Sequence, residues 1–326
     1  MQKRTLFAFV AFALLIALCL NVYAYHNSNT PEATVSTADV STATSSGGSS
    51  STNAMIANVL QLASNNAETA LTATPLTGTS NREGVDLHID GQLAVRNAPS
   101  CVVNGITYIS IEAVVEAIIP EATVQWQDNR LIVDGHRLTL SACPDDLYVS
   151  INGRYLYVPE GVTLMGDAVM APLDVICNAL GASLQALNEE QEAYIATIGL
   201  PLASGTFYYD ADILYWLSRI IDAESRNQPL AGQIAVGTVI MNRVASTQFP
   251  DTPYDVIFQK NQFDPVELGT IYRDPSPQAV IAAKLVLDGA REAGESLFFH
   301  RSDLVNSWTA QNKTFVETIA DHSFYL

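Results

Sequence analysis

A stripe of apolar residues predicts an amphipathic helix between residues 210 and 221. The apolar positions recur at the i, i+4 and i+7 spacing of one helix face: Ile213, Leu217 and Ile220. Glu224 continues this stripe at i+11. Because burial of an unpaired charge is costly, a carboxylate on a core-facing line is expected to be either paired or functional. Glu224 is therefore a candidate functional residue, and an ion pair with Arg226 or Arg243 is the alternative.

A second helix is predicted over residues 230–244, where apolar residues occupy most sides. This helix should be largely buried, yet it carries Gln233 and Asn242. Buried amides need hydrogen-bond partners. We expect the two amides to line a cleft, and the alternative for Gln233 is an internal hydrogen bond between helices.

Residues 85–199 contain an internal repeat at an offset of 62 residues. Ile89-Asp90-Gly91 recurs as Ile151-Asn152-Gly153. Each copy closes with a strand-like segment, at 131–133 and at 193–198. The repeat predicts two similar units, each consisting of strands, a short helix and a closing strand.

The N-terminus has the pattern of an export signal. Lys3 and Arg4 precede an uncharged apolar run at residues 6–20, and Val22-Tyr23-Ala24 fits a signal-peptidase site. Residues 1–24 are expected to be a signal peptide or, if uncleaved, an anchor in which residues 6–20 enter the membrane. Residues 25–84, which are rich in Ser and Thr, are predicted to form a disordered linker.

The net charge excludes one class of partner. The formal charge is -18, and removal of residues 1–24 would take away two basic and no acidic residues, which leaves -20. Such an acidic chain without a polybasic patch is expected to repel nucleic acid. Together with the signal pattern, this indicates an exported, extracellular protein.

Three cysteines follow the predicted signal, at positions 101, 143 and 177. In an exported protein two of them can oxidise, and Cys101 with Cys143 is the preferred disulfide pair. Cys177 lies in an apolar helical run and is expected to be a core residue.

Motifs of several other enzyme classes are absent from the sequence. It contains no His-Glu-x-x-His, no Gly-x-Ser-x-Gly and no phosphate-binding glycine loop. A zinc-dependent hydrolase stays an alternative only if His300, His322 and Asp321 come together as ligands. No metal ion and no cofactor is expected.

Two parts of the chain resemble known families. The repeat at 85–199 resembles the copper amine oxidase N-terminal-like, or stalk, domain, but the spacing of His88 and His136 implies no copper. Six blocks follow one another near the C-terminus: 222–229 (DAESRNQP), 232–236 (GQIAV), 240–244 (IMNRV), 262–263 (QF), 296–300 (SLFFH) and 321–325 (DHSFY). Together they resemble the SleB-type cell wall hydrolases, the spore cortex-lytic family, over residues 208–326.

This second resemblance implies cleavage of the β-1,4 bond between N-acetylmuramic acid and N-acetylglucosamine, with Glu224 as the catalytic acid. It favours a lytic transglycosylase, in which the substrate's own N-acetyl group and 6-hydroxyl replace a second carboxylate. A conventional hydrolase needs a second carboxylate, for which Asp264 and Glu267 are the candidates. Desolvation, with Asp222 as a nearby like charge, is expected to raise the pKa of Glu224.

Further residues in or near the six blocks are candidate substrate contacts: Gln233, Asn242, Gln262, Phe263, His300 and His322. A structural role is the alternative for the two histidines. Aromatic rings can stack on sugars, and the candidates are Trp216, Phe263, Trp308 and Tyr325. Phe263 is favoured among them, whereas Trp216 is expected in the core.

The sequence as a whole predicts an α+β protein. A repeated β/α stalk domain at 85–199 precedes a mainly helical, lysozyme-like or lytic-transglycosylase-like domain at 208–326 that ends in a β-hairpin. The expected partner is the peptidoglycan glycan strand, with a membrane contact only through a retained N-terminal segment. The competing classes are a non-catalytic wall-binding protein in which Glu224 is a relic, and a peptidoglycan amidase that uses zinc. Spore cortex and vegetative wall both remain open as the substrate.

Overall fold

The computed structural model describes residues 84–326. The expected signal or anchor at 1–24 and the predicted linker up to residue 83 lie outside the described residues. Within residues 84–326, no helix is both long enough and apolar enough to cross a membrane. The described chain is mixed α and β, as the sequence predicts.

Strands dominate residues 84–197. In chain order the elements are β1 (Gly84–Ile89), β2 (Gln92–Val103), β3 (Ile106–Ser110), α1 (Ile111–Ile118), β4 (Thr123–Gln127), β5 (Arg130–Gly135), β6 (Leu138–Ala142), β7 (Tyr148–Ile151), β8 (Arg154–Tyr157), β9 (Thr163–Met165), β10 (Ala168–Pro172), α2 (Leu173–Ala179), β11 (Ala182–Leu187) and β12 (Glu192–Thr197). One sheet has the order β11-β12-β1-β2-β3-β10-β9 and the other β4-β5-β6-β7-β8.

The repeat of 62 residues is confirmed in the strands. β3 and β10 are offset by that number, and so are β5 and β12. The first hairpin of each unit turns at Asp90-Gly91 or at Asn152-Gly153, with matching left-handed φ values of 50° and 81°, and of 50° and 79°. Asn, Asp and Gly tolerate this conformation, which explains why these residue types recur.

The two units exchange their closing strands. β12 of the second unit lies parallel to β1 of the first, with Leu87 opposite Ala193. β4 and β5 of the first unit join the sheet that holds β7 and β8 of the second. Their apolar side chains form one continuous core. Neither unit therefore has a complete core without the other.

The predicted disulfide between Cys101 and Cys143 is wrong. Both residues are free cysteines. Cys101 lies on β2 in one sheet, whereas Cys143 follows β6 in the other. The Cys143 thiol instead donates to the carbonyl oxygen of Asn129 at 3.2 Å. Cys177 is buried in the core, as expected.

Helices dominate residues 205–326. The elements are α3 (Gly205–Tyr208), α4 (Ala211–Ser225), α5 (Leu230–Ala245), α6 (Pro253–Ile257), α7 (Asp264–Glu267), a 3-10 helix (Thr270–Tyr272), α8 (Pro277–Leu287), β13 (Phe298–Arg301), α9 (Trp308–Asn312), β14 (Phe315–Ile319) and β15 (His322–Tyr325). The last three strands form an antiparallel sheet with β15 in the centre. The predicted C-terminal hairpin of β14 and β15 is thus confirmed, and β13 pairs with the other edge of β15.

Helices α4, α5 and α8 pack together as the core of this region, and both helices predicted from the sequence are confirmed. Asp210 caps α4 by accepting hydrogen bonds from the backbone amides of Asp212 and Ile213. Gly237 lets the helices approach closely. A Cβ atom there would lie 2.8 Å from Ile221 Cδ1 and 2.9 Å from Val286 Cγ2.

Polar contacts join β8 to the helical region. The Arg154 guanidinium pairs with Asp288, and the Tyr209 hydroxyl donates to the same carboxylate. Lys284 Nζ donates to the carbonyl oxygen of Gly153 at 3.3 Å. The Asp288 side chain is buried, and only 12% of the Arg154 side chain is exposed. Breaking such a pair typically costs about 3–5 kcal/mol, so this contact fixes the two regions to each other.

Candidate active site

Glu224 lies in the last turn of α4, at the end of the predicted apolar stripe. Leu217 and Ile220 on that stripe are fully buried. The Glu224 side chain is partly exposed. No hydrogen bond or ion pair from any residue in 84–326 engages its carboxylate at contact distance. It therefore combines a low-dielectric position with access for a ligand.

The pKa of Glu224 is raised to about 7. Burial is the largest cause, and the negative charge of Asp264 adds to it, while the positive charge of Arg243 opposes both. Asp264 is exposed in the first turn of α7, which packs against α4. A carboxyl group with this pKa keeps a large share of its protons at neutral pH.

Asp222 does not supply the like charge that the sequence suggested. Its carboxylate is buried and pairs with Arg226, with Nη2 at 2.6 Å. It also accepts a hydrogen bond from the backbone amide of Ser276 at 2.9 Å. Arg226 is consequently engaged by Asp222, and the alternative of a Glu224–Arg226 ion pair is wrong.

Arg243 on α5 faces the site, a role that the sequence considered only as an ion-pair alternative. Its guanidinium is buried, and Nε donates to the carbonyl oxygen of Leu297 at 2.7 Å, while Nη1 donates to Gln262 Oε1 at 3.2 Å. Burial lowers its pKa to about 10, although the charge of Glu224 acts in the opposite direction. Arg243 affects Glu224 through space rather than by a direct ion pair.

Gln233 is fully buried, and its amide group holds the end of α4. Nε2 donates to the carbonyl oxygens of Ser225 at 3.1 Å, Arg226 at 3.3 Å and Gln228 at 3.4 Å. A side chain without exposed surface cannot contact a glycan, so the prediction of a substrate contact is wrong. The alternative, a hydrogen bond between helices, is the one observed, and it positions the turn that carries Glu224.

Asn242 is committed to the loop before β13. Its Nδ2 group donates to the carbonyl oxygens of Gly294 at 2.9 Å and Ser296 at 3.0 Å. Both protons of the amide are thereby used. A substrate contact by Asn242 stays a prediction, and it can involve only the amide oxygen.

Gln262 and Phe263 differ in exposure and in the contacts that they make. Gln262 is exposed and accepts a hydrogen bond from Arg243, which orients it toward the same region as Glu224. Phe263 is only 5% exposed and packs in the core, with its ring centroid 6.4 Å from that of Phe299. The prediction of sugar stacking by Phe263 is therefore wrong, whereas a substrate contact by Gln262 stays a prediction.

The two histidines lie on adjacent strands of the C-terminal sheet. His300 hydrogen-bonds through both ring nitrogens, to the carbonyl oxygen of Arg301 and to Ser307 Oγ, each at 2.8 Å. His322 is buried, and burial lowers its pKa. Its Nδ1 has no hydrogen-bond partner among residues 84–326. These contacts support a structural role for His300, and a substrate contact by either histidine stays a prediction.

The remaining aromatic candidates differ in exposure. Tyr325 is buried, so a stacking role for it is wrong. Trp308 is 64% exposed and stays a candidate. Trp216 is partly buried and packs against the helical core, as expected. In the part of the chain that the structure describes, no group of three or more His, Cys, Asp or Glu residues is arranged to hold a metal ion.

The fold and the site define a two-part chain, in which a repeated β/α domain precedes a helical domain with a half-buried, unpaired glutamate. Residues 227–325 match the family model described as Cell Wall Hydrolase. Residues 88–195 match that of the Copper amine oxidase N-terminal domain. The chain thus carries a cell wall hydrolase domain after a copper amine oxidase N-terminal domain, which confirms both resemblances. The matched hydrolase range begins just after Glu224.

Several curated proteins are similar to this chain, each of them a spore cortex-lytic enzyme. The protein from Bacillus cereus is 32% identical over 116 residues, which cover 36% of this chain and 45% of the relative. The protein from Oceanobacillus iheyensis is 30% identical over 128 residues, which cover 39% of this chain and 46% of the relative. The chain thus spans less than half the length of each of these two relatives.

A solved structure also matches, the catalytic domain of the germination-specific lytic transglycosylase SleB from Bacillus anthracis. It is 30% identical, and the match covers 38% of this chain and 100% of that chain, with a TM-score of 0.35.

Proposed function

We propose that this protein is an exported peptidoglycan-degrading enzyme that cleaves the β-1,4 bond between N-acetylmuramic acid and N-acetylglucosamine. The cell wall hydrolase domain and the relatives named as spore cortex-lytic enzymes support this substrate class. One observation carries the assignment of the acid: Glu224 has a pKa of about 7 and no hydrogen-bond or ion-pair partner among residues 84–326. A carboxyl group that is protonated near neutral pH can donate to a glycosidic oxygen.

The proposed reaction needs a single acid/base group. The carboxyl of Glu224 donates its proton to the glycosidic oxygen as the bond to the anomeric carbon breaks. The 6-hydroxyl of the same muramic acid then attacks that carbon, and the Glu224 carboxylate accepts the hydroxyl proton. The product is a 1,6-anhydro end, no water is consumed, and Glu224 returns to its protonated form. Arg243 stabilises the carboxylate between the two proton transfers, since its charge favours the ionised form.

A hydrolase mechanism with two carboxylates is the alternative route on the same site. Asp264 is the better of the two candidates, because its charge acts on Glu224 and it lies on α7, which packs against α4. In that route Asp264 would activate a water molecule or attack the anomeric carbon, and the product would be a reducing muramic end. Glu267 is exposed on the same short helix and serves as a matched control.

The proposed domain organisation follows the sequence. Residues 1–24 export or anchor the protein, residues 25–84 form a linker, residues 85–199 form the stalk domain, and residues 208–326 form the catalytic domain with a lytic-transglycosylase-like fold. The buried contacts of Asp288 with Arg154 and Tyr209 support a stalk that orients the catalytic domain. The protein would act in the cell wall or the spore cortex.

The test is release of soluble fragments from insoluble peptidoglycan of both vegetative wall and spore cortex. We expect wild-type protein to clear at least one of the two suspensions. Glu224→Gln, which keeps the side-chain shape, should stop clearing but still sediment with the wall, and Glu267→Gln should clear as wild type does. Equal clearing by wild type and Glu224→Gln would refute the assigned acid. Binding without clearing by wild type would favour the non-catalytic wall-binding protein.

A further inference from the structure

Three tyrosines form an exposed aromatic surface on the helical domain. Tyr215, Tyr254 and Tyr272 are 43%, 49% and 62% exposed. They surround Trp216, and we call these four residues the tyrosine platform. The tyrosines come from α4, α6 and the 3-10 helix, so the chain brings them together from three separate elements.

The platform is a built surface rather than a chance group of exposed side chains. The ring centroid of Trp216 lies 4.8 Å from that of Tyr215, 5.6 Å from that of Tyr254 and 6.1 Å from that of Tyr272, each in an edge-on arrangement. Phe258 supports Trp216 at 4.9 Å. These separations are those of favourable aromatic pairs, which hold the rings in place.

A cation and a carboxylate also fix one edge of the platform. The Arg219 guanidinium carbon lies 3.7 Å from the ring centroid of Tyr215. Arg219 Nη2 donates to Asp274 at 2.9 Å, and Asp274 is almost fully exposed. One face of Tyr215 is thus covered by a cation, while nearly half of the residue remains open to solvent.

Two elements connect the platform with the candidate active site. Trp216 precedes Glu224 by eight residues on α4, which corresponds to ~12 Å along the helix and to about 80° around it. Tyr272 follows Asp264 in a short segment that turns at Gly269, where φ is 71°. The 3-10 helix with Tyr272 packs against both α4 and α7. The platform therefore lies on and beside the elements that carry Glu224 and Asp264, about two helical turns from the acid.

We propose that the tyrosine platform binds sugar rings of the glycan strand at a subsite remote from the cleaved bond. This proposal rests on the proposed function, in which the substrate is a polymer that continues past the site of cleavage. The C–H face of a pyranose ring is apolar and its rim carries hydroxyl and acetamido groups. A half-exposed tyrosine offers the matching pair, a ring face and a hydroxyl group. The subsite would hold the strand while Glu224 acts on a bond more than one ring away.

The test measures binding to a soluble hexamer of N-acetylglucosamine and to insoluble peptidoglycan. All variants are made in the full chain with Glu224→Gln, so that no probe is cleaved. Tyr254→Ala and Tyr272→Ala should each raise the Kd for the hexamer about tenfold. Tyr272→Phe, which keeps the ring, should stay within about twofold of the parent. Phe207→Ala is the matched control, because Phe207 is 89% exposed on α3, outside the platform, and it should leave the Kd unchanged.

Two further readouts keep the proposal refutable. Tyr272→Gln retains a polar surface and guards against misfolding of the alanine variants, which the unfolding midpoint checks. In the cleavage-competent chain, platform variants should raise KM for insoluble peptidoglycan while kcat stays near its wild-type value. An unchanged Kd in a folded Tyr254→Ala or Tyr272→Gln variant would overturn the subsite, and would leave the surface to a protein partner.

The outcomes also separate this proposal from the proposed function. If the wild-type chain cleaves no peptidoglycan but binds the hexamer through the platform, the subsite stands and the enzymatic function fails. If the chain cleaves peptidoglycan and the platform variants bind the hexamer as their parent does, the function stands and the subsite fails.

Discussion

Replacement of Glu224 by glutamine should make the protein more stable at high pH and leave its stability unchanged at low pH. The pKa of Glu224 is raised from 4.5 to about 7 in the folded protein. Below pH 4.5 the carboxyl is protonated in both the folded and the unfolded chain, so it does not lower the free energy of unfolding. Between pH 4.5 and 7 the unfolded chain loses this proton first, and folding becomes less favourable as the pH rises. Above pH 7 the carboxyl is ionised in both states, and the loss in the free energy of unfolding no longer changes with pH.

The size of this effect on the free energy of unfolding follows from the difference between the pKa values in the folded and the unfolded chain. About 2.5 pH units at about 1.4 kcal/mol per unit correspond to about 3–4 kcal/mol. This value is an upper bound, because the carboxylate is partly exposed and solvent screens its charge. Since glutamine has a similar shape and no charge, Glu224→Gln should recover most of this cost at pH 8.

The assay is urea unfolding of residues 74–326, the compact unit that contains both domains, at pH 4 and at pH 8. We expect wild type and Glu224→Gln to have equal free energies of unfolding at pH 4, and the variant to be more stable by about 2–3 kcal/mol at pH 8. Glu267→Gln, which alters an exposed carboxylate on α7, should match wild type at both values. If the difference in the free energy of unfolding between wild type and Glu224→Gln is the same at both pH values, the raised pKa of a buried, unpaired carboxylate is refuted.

Three further predictions follow from neighbouring contacts. Asp264→Asn removes the charge that helps to raise the Glu224 pKa. Activity falls as the pH rises through about 7, and in this variant it should fall at a lower pH. An unchanged pH–rate profile would exclude the coupling between the two carboxylates. Gln233→Ala should cost about 1–3 kcal/mol in urea unfolding and lower kcat with little change in KM, because it frees the turn that carries Glu224. Asp288→Asn should cost about 3–5 kcal/mol in urea unfolding, because it leaves the largely covered Arg154 guanidinium without its counter-charge; a loss under 1 kcal/mol would contradict the anchoring role.

Local patterns in the sequence predicted the elements well. The stripe ending at Glu224 predicts the helix, its buried side and the unusual position of the carboxylate, because helical periodicity is a property of a few adjacent turns. The repeat predicts paired units in the same way, since the recurring Asp90-Gly91 and Asn152-Gly153 turns depend only on local backbone conformation. The exchange of closing strands between the units could not be predicted, because it depends on pairing between distant segments.

Side-chain roles were predicted less well, for the same reason. Gln233 and Phe263 lie in blocks shared with a family, which marks them as important without saying whether they bind substrate or support the fold. Both side chains are buried, so they support the fold. The like charge near Glu224 comes from Asp264, forty residues further along the chain, whereas the adjacent Asp222 is neutralised by Arg226. Sequence distance is a poor guide to electrostatic distance once helices pack.

In the proposed reaction, Glu224 donates a proton to a glycosidic oxygen and the product carries a 1,6-anhydro ring. Mass spectrometry of the fragments that residues 74–326 release from purified peptidoglycan tests it most directly. We expect 1,6-anhydro-muramic ends that disappear with Glu224→Gln. Reducing muramic ends that also disappear with Asp264→Asn would contradict the transglycosylase route and make Asp264 the second carboxylate. Fragments that persist unchanged with Glu224→Gln would contradict the claim itself.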